Sequence, residues 1–498
     1  MQAAQFDTQK SVAAARTFLA KQKKLLIGGE WTFSASGEAF DSIDPSTEEI
    51  LAAVPAGAAA DVDKAAAAAR YALEAGDWPQ MSLGDRGRLL LRLADLVEKN
   101  AAELSAIETF DNGAPVGFTG YALKLVVDNI RYYAGLTTKL YGESLDLRND
   151  FGAFHVYTRR EPAGVVGLIT PWNGSLGVLS FKLPAALAAG CTCIVKPAEL
   201  TSLSALRLGE LIEEAGIPPG VVNIVTGLGA TAGDALAKHP GVDKLSFTGS
   251  TAVGRRLIEN SARDFKRLTL ELGGKSPLII MNDADLGEAI PTAANAVFAN
   301  TGQICIASSR LFVESGVFDK VVEGVAEIAE KLTLGNGFAE GTDLGPLISE
   351  KQRERVAGYL HIARSEGADF IAGGNAPSST GYYLEPTVLA NVPQNSRVMR
   401  EEIFGPVVVA IPFDDLDAAL RMANDTEYGL GSGIFTQNLQ VAHRAAKRLR
   451  AGSVWVNNYG TTDPSVSFGG FKQSGWGREL GRAGLDAYLE NKSVVVKL

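Results

Sequence analysis

Cysteine and histidine are scarce in this chain of 498 residues, with three of the first and four of the second. Three cysteines make no disulfide framework, and Cys191 and Cys193 fall in one short apolar run that reads as a buried strand with inert thiols. His155, His239, His361 and His443 are scattered with no ligand spacing to the cysteines, which sets a zinc site aside. No apolar stretch approaches the ~18 residues that span a membrane. A basic excess is also missing: 47 Lys and Arg against 57 Asp and Glu leave a formal net charge of −10. That balance excludes nucleic acid or an anionic membrane as the main partner. The N-terminal MQAAQFDTQKSVAAARTFLAKQKK lacks an apolar signal core. Its alanines, Arg16 and lysines read as a loose amphipathic helix, while Asp7 and the late basic cluster argue against a transit peptide. A reducing cytoplasm is the expected compartment.

The apolar share, 46%, is enough to bury a sizeable core, and the length implies three to four domain-sized units. Helical and strand patterns alternate, which predicts an α/β fold. DVDKAAAAARYALEA (61–75) and RGRLLLRLADLVEKNAAELSAIET (86–109) read as helices, the second closed by the turn signal Asn112-Gly113. VVGLITPWN, CTCIVKPAE, GVVNIVTG and DKLSFTGS then read as βα units of an open parallel sheet with functional loops at the strand ends. PLIIM, SRLFVES, VVVAIPF and SGIFT form a second such series. GAFHVYTRREPAG (152–164) alternates like a hairpin arm, and SVVVKL (493–498) reads as a terminal strand without a local partner.

Among the chemistry-bearing residues, Cys305 in Gly302-Gln303-Ile304-Cys305 and Glu271 in Glu271-Leu272-Gly273-Gly274-Lys275 form the sharpest pair. A thiolate forms covalent intermediates, and a carboxylate can activate the water that releases them. FTGSTAVG places Gly249, Ser250 and Gly254 after a strand, a spacing for close approach of a phosphate or simply for a tight turn. It is neither G-x-G-x-x-G nor a Walker loop. Lys196-Pro197-Ala198-Glu199 is a ribose-binding candidate or an exposed charged loop, and Asn173 a carbonyl-oxygen donor or an Asx turn.

LELGGKSP and GQICIASSR together resemble the signature segments of the NAD(P)-dependent aldehyde dehydrogenase superfamily, and the resemblance covers nearly the whole chain from about Ile27. It implies a non-acylating enzyme that oxidises an aldehyde to its acid with NAD. Cys305 would attack, Asn173 and the Cys305 N–H would hold the oxyanion, Glu271 would activate water, and Glu479 in GRELG would relay the proton. Cofactor contacts would come from Ile169, Thr170, Pro171 and Trp172; from Lys196, Ala198 and Glu199; and from Gly229 and Gly233. Phe247, Thr248, Gly249, Ser250, Val253 and Leu272 would add to these, with Gln352, Glu402 and Phe404 at the nicotinamide end. The substrate pocket would use Gly174, Val178, Phe181, Phe298, Ala299 and Phe468. Gly174 and Ala299 depart from the rings many relatives carry there, which implies room for a bulky aromatic or branched aldehyde.

The family architecture implies a Rossmann-like NAD-binding domain (1–143 and 163–273) and a catalytic domain (274–475). An oligomerisation arm (144–162) and the C-terminal strand (476–498) would build a homodimer or homotetramer. Two alternatives stay open at this point: a CoA-acylating semialdehyde dehydrogenase, whose kind generally lacks the glutamate, and a non-catalytic NAD-binding structural protein.

Overall fold

The computed structural model describes residues 8–498, so the first seven residues of the expected N-terminal helix lie outside the described residues. The helix runs Thr8–Leu19 and buries Ala15, Phe18 and Leu19, while the Arg16 guanidinium sits 5.2 Å from the Phe110 ring centre. Among the described residues no helix is long and apolar enough to cross a membrane.

An eight-stranded sheet forms the first half of the fold. Its strands Val165–Ile169 and Thr192–Lys196 are buried at every position, as a sheet covered on both faces requires. Val165–Ile169 lies at the centre, parallel to Thr192–Lys196 on one side and to Lys244–Thr248 on the other. Val222–Ile224 and Arg267–Glu271 extend the sheet outward, both parallel. The chain therefore reverses its direction of winding beside Val165–Ile169. That switch point opens a crevice at the C-terminal strand ends, where ligands bind in open α/β sheets. Register brings Ile169 level with Lys196 and Phe247, and Thr248 level with Glu271. Antiparallel strands close both edges: Leu25–Ile27 with Glu30–Thr32 at one, and Gly475–Trp476 against Arg267–Glu271 at the other. The expected boundary at 475/476 thus cuts through a strand that belongs to this sheet.

The second sheet has seven strands in the order Asp369–Ala372, Thr387–Ala390, Val407–Phe413, Arg310–Glu314, Pro277–Ile280, Gly431–Phe435, Ser453–Val456. All neighbours are parallel except the first pair. Between Pro277–Ile280 and Arg310–Glu314 the chain crosses through the helix Leu286–Phe298, and the turn after that helix carries Cys305.

Two sequence expectations change. The helical stretch 86–109 is two helices, Leu83–Lys99 and Ala101–Asn112, broken at Asn100, whose side-chain amide donates to Leu96 O at 2.7 Å. Gly113 ends the second at φ 84°, as a left-handed cap needs. The terminal strand, expected like the arm to lack a local partner and to pair with another subunit, runs Leu489–Lys497 and pairs antiparallel with Gly152–Pro162 of the arm, whose other neighbour is Ser144–Asn149. Those partners lie more than 300 residues apart, which no local pattern records.

Candidate active site

Cys305 sits on a tightly bolted loop. Asn300 and Thr301 both take left-handed backbone, at φ 49° and 56°, and Gly302 follows at 70°. A Cβ at Gly302 would overlap the Gly405 carbonyl, so only glycine lets the two loops touch. Thr301 Oγ1 donates to Gly345 O at 2.8 Å, and Gln303 Oε1 accepts from Ile348 N at 2.9 Å. Burial, then the Glu402 and Glu271 carboxyls, push the Cys305 thiol up to about 12, so the resting group is the thiol. Cys191 and Cys193 are completely buried, their thiols also pushed up by burial.

Glu271 ends its strand 3% exposed with neither carboxylate oxygen hydrogen-bonded. Burial, reinforced by Glu479, raises its pKa well above the ordinary carboxylate range. A carboxyl without a partner in a buried site is expensive to ionise and is therefore a strong base once ionised. Glu479 pairs with Lys182, both completely buried, and Ser246 Oγ donates to the same Glu479 oxygen at 3.1 Å. The other oxygen, Oε2, has no partner. Lys182 was not expected from the sequence, although it is the one charge in the otherwise apolar helical run SLGVLSFKLPAALAA.

Asn173 follows the central strand of the first sheet. Its side-chain amide donates to Gln303 O at 2.9 Å, which brings it against the Cys305 loop and leaves its second N–H free. Asn112 Nδ2 donates to Trp172 O at 3.0 Å, and Glu108 accepts from Leu176 N at 3.0 Å. Glu108 thereby caps the helix Ser175–Ala189, whose own N-cap is Gly174. Glu108, Asn112, Asn300 and Gln303 were missed because each acts on a loop distant in sequence. The left-handed backbone at Asn300 is the one local hint, since asparagine tolerates that conformation.

The crevice suits a dinucleotide. Lys196, 2% exposed, donates to Glu199 Oε2 at 3.1 Å. Burial alone would raise Glu199, but Lys196 and backbone donors outweigh it and hold the carboxyl below its usual range. Ser250 accepts from Val253 N at 3.4 Å and caps the helix Thr251–Ser261, whose N-terminus favours an anion. Thr170 Oγ1 and Thr248 Oγ1 are buried without a partner at the same strand ends, orphaned groups that a bound ligand would satisfy. Leu272 lies under Gly254, where a Cβ would come within 2.7 Å of it. Ile169, Ala198 and Phe247 are buried, Val253 is exposed, and a Cβ at Gly229 would meet open space. Phe404, at φ 60°, stands edge-on to Trp172 with ring centres 5.2 Å apart, and Gln352 Nε2 donates to its carbonyl at 2.8 Å. Glu402 accepts from Gly274 N at 2.9 Å, and burial raises its carboxyl to about 6.

On the substrate side, Phe181, Phe468, Ile306 and Cys305 share one apolar cluster, the two rings 6.1 Å apart. A Cβ at Gly174 would meet only Val178, at 3.7 Å, and one at Gly177 would meet nothing within 4 Å. Ala299 is half-buried at the end of its helix. Phe298, expected on the pocket wall, is instead 1% exposed in the core of the seven-stranded sheet with Val297, Leu311 and Phe435. The helix carries 298 and 299 to different sides.

A thiol, a buried carboxyl and an amide donor gathered near the crevice are the groups that a covalent oxidoreductase site would need. The aldehyde dehydrogenase family model matches residues 31–494. An aldehyde dehydrogenase of Enchytraeus buchholzi is 45% identical over 477 residues, 95% of each chain. The aldehyde dehydrogenase of Bacillus cereus, solved as its NAD+ complex, superposes with a TM-score of 0.95 at 45% identity, covering 97% of this chain and 98% of that one. An NAD-dependent aldehyde dehydrogenase from Sinorhizobium meliloti gives 0.94 at 41%, covering 96% and 95%. The chain belongs to the aldehyde dehydrogenase family, and it is an enzyme.

Proposed function

We propose that this enzyme oxidises a bulky aromatic or branched aldehyde to its carboxylic acid with NAD, through covalent intermediates on Cys305. The observation that carries the reading is Cys305 packed against an apolar cluster with Phe181 and Phe468, its thiol within electrostatic reach of a buried Glu271 whose carboxylate oxygens have no hydrogen-bond partner. NAD, when bound, accepts the hydride. Lys196 and Glu199 would hold the adenine ribose, the capped N-terminus at Ser250 would face the pyrophosphate, and Trp172 and Phe404 would wall the far end. Cys305 releases its proton to solvent and its sulfur bonds to the carbonyl carbon as the C=O π pair moves to oxygen, and Asn173 with the Cys305 N–H holds the resulting oxyanion. The thiohemiacetal becomes a thioester. Glu271 then takes a proton from water, whose oxygen attacks the thioester carbon; the acid leaves and the sulfur is freed. Glu479, ion-paired to Lys182, stands behind Glu271 as the next proton acceptor. Glu271 favours water over CoA as the acyl acceptor, and the intact set of Cys305, Glu271 and Asn173 speaks against a purely structural protein.

Gly174 supports the substrate class, since no ring fills the space beside it. Several extra carbons against apolar walls would each add up to ~0.8 kcal/mol of binding. The test compares kcat/KM for benzaldehyde-type and citral-type aldehydes with acetaldehyde, in wild type and Gly174→Phe. Preference for the bulky compounds, reversed by the added ring, is expected; acetaldehyde as best wild-type substrate would refute the class. We also assign residues 1–143 and 163–273 to cofactor binding, 274–475 to catalysis, and the arm (144–162) with 476–498 to assembly of a homodimer or homotetramer, except that the edge strand Gly475–Trp476 goes with the eight-stranded sheet. Its three free thiols suit a reducing cytoplasm.

A further inference from the structure

We propose that Asn300 is the positioning residue that sets the distance between the oxyanion donor and the nucleophile. The inference rests on the reading of Asn173 as that donor. Asn173 hangs from the eight-stranded sheet and Cys305 from the seven-stranded one, so neither sheet by itself fixes their spacing. Asn300 closes the gap. Its side-chain amide donates to Asn173 O at 3.1 Å and reaches Gln303 O at 3.5 Å. The Asn173 amide donates to that same Gln303 oxygen at 2.9 Å. Asn300 O in turn accepts from Gln303 N at 3.0 Å and from Gln303 Nε2 at 3.2 Å. Asn173, Asn300 and Gln303 therefore form a closed ring of hydrogen bonds two residues from Cys305.

The backbone at Asn300 argues that the side chain is the point. It is 4% exposed at φ 49°, ψ 35°, a conformation that glycine adopts without strain. Asparagine holds it at a cost, and strained backbone of this kind gathers where function requires it. What asparagine adds over glycine is the amide that ties the two loops. Displacement of a catalytic group by about 1 Å can reduce rate ~10²-fold, so a loosened ring would be felt in the chemical step.

Asn300→Gly separates the two roles, because it relaxes the backbone and deletes the amide. We expect kcat to fall about 10- to 100-fold, with KM for aldehyde within about twofold and the Kd for NAD unchanged. The decisive comparison repeats the change in Asn173→Ala. There Asn300→Gly should cost less than about twofold, because the Asn173 amide that it positions is gone although the residue-173 carbonyl it holds remains. Wild-type kcat in Asn300→Gly, beside an impaired Asn173→Ala, would overturn the role of Asn300 alone. An equal loss in both backgrounds would do the same, by exposing a general structural effect. Wild-type kcat in Asn173→Ala would remove the oxyanion reading and this inference with it. Should Asn300→Gly not fold, Asn300→Asp keeps the size and the tolerance for left-handed backbone while placing an acceptor against two carbonyls, and the same outcomes apply.

Discussion

At the residue scale, Cys305 and Glu271 are two acids whose pKa burial raises, Cys305 further by the Glu402 and Glu271 carboxyls and Glu271 further by Glu479. The burial that makes the Glu271 carboxyl costly to ionise also makes it a stronger base once ionised, which suits it to take a proton from water. Cys305→Ala should therefore abolish oxidation while NAD affinity stays intact, and Glu271→Gln should give one burst of NADH and then stall; sustained turnover in either would reject the assigned roles. The same burial has a consequence for stability. A carboxyl whose pKa is higher folded than unfolded lowers stability as pH rises above its unfolded value, about 4.3, until the folded group ionises. Glu271→Gln should thus raise Tm, and raise it more at pH 8 than at pH 5. A gain that shrank with rising pH would contradict the raised value. Cys305 and Glu271 stood out in the sequence as a thiol and a carboxylate inside short motifs, whereas Asn173 and Glu199 were singled out only through the family resemblance. Lys182, Asn300 and Glu108 were not legible, because each acts on a residue 68 to 297 positions away. Phe298 was misplaced for a related reason: adjacent positions on a helix end can face a core and a pocket.

At the element scale, the parallel strands were readable as buried β-branched runs with glycine or proline endings, and the switch point follows from their order. The break at Asn100 and the antiparallel edge strands were not, since capping and edge pairing depend on what lies alongside. Cofactor preference belongs to this scale as well, because the strand Thr192–Lys196 delivers Lys196 and the turn after it delivers Glu199. A 2′-phosphate would meet the Glu199 carboxylate, so NAD should exceed NADP by about an order of magnitude or more in kcat/KM. Glu199→Ser should narrow that ratio; equal use of both cofactors by the wild type would mean that Glu199 is turned away. The loop at Phe404 is a second element-level device. Gln352 reaches from the helix Glu350–Ser365 to hold the left-handed Phe404 by its carbonyl. Gln352→Ala should weaken NAD binding several-fold while leaving thiol reactivity toward a small alkylating agent unchanged.

For the whole molecule, the arm carries the argument about assembly. All six residues of the strand Ser144–Asn149 are exposed, and its outer edge has no neighbour among the described residues. Leu145 and Leu147 on that strand and Phe151 in the turn after it are exposed, as are Val495 and Val496 on the terminal strand and Leu498 just past its end. A flat, apolar, unpaired edge invites pairing with another chain. The internal pairing of Gly152–Pro162 with Leu489–Lys497 changes how that argument runs. The terminal strand completes the arm within its own chain, and the three-stranded unit as a whole would then be the surface that meets a second copy. Leu147→Asp with Val495→Asp should leave that internal pairing intact and disrupt the contact between copies. Light scattering on a sizing column should show the wild type as a dimer or tetramer and the double variant as a smaller species. Circular dichroism should stay unchanged, because the substituted side chains are exposed in the single chain. A monomeric wild type would refute the assembly, and an unaltered oligomer in the double variant would place its contacts elsewhere on the molecule.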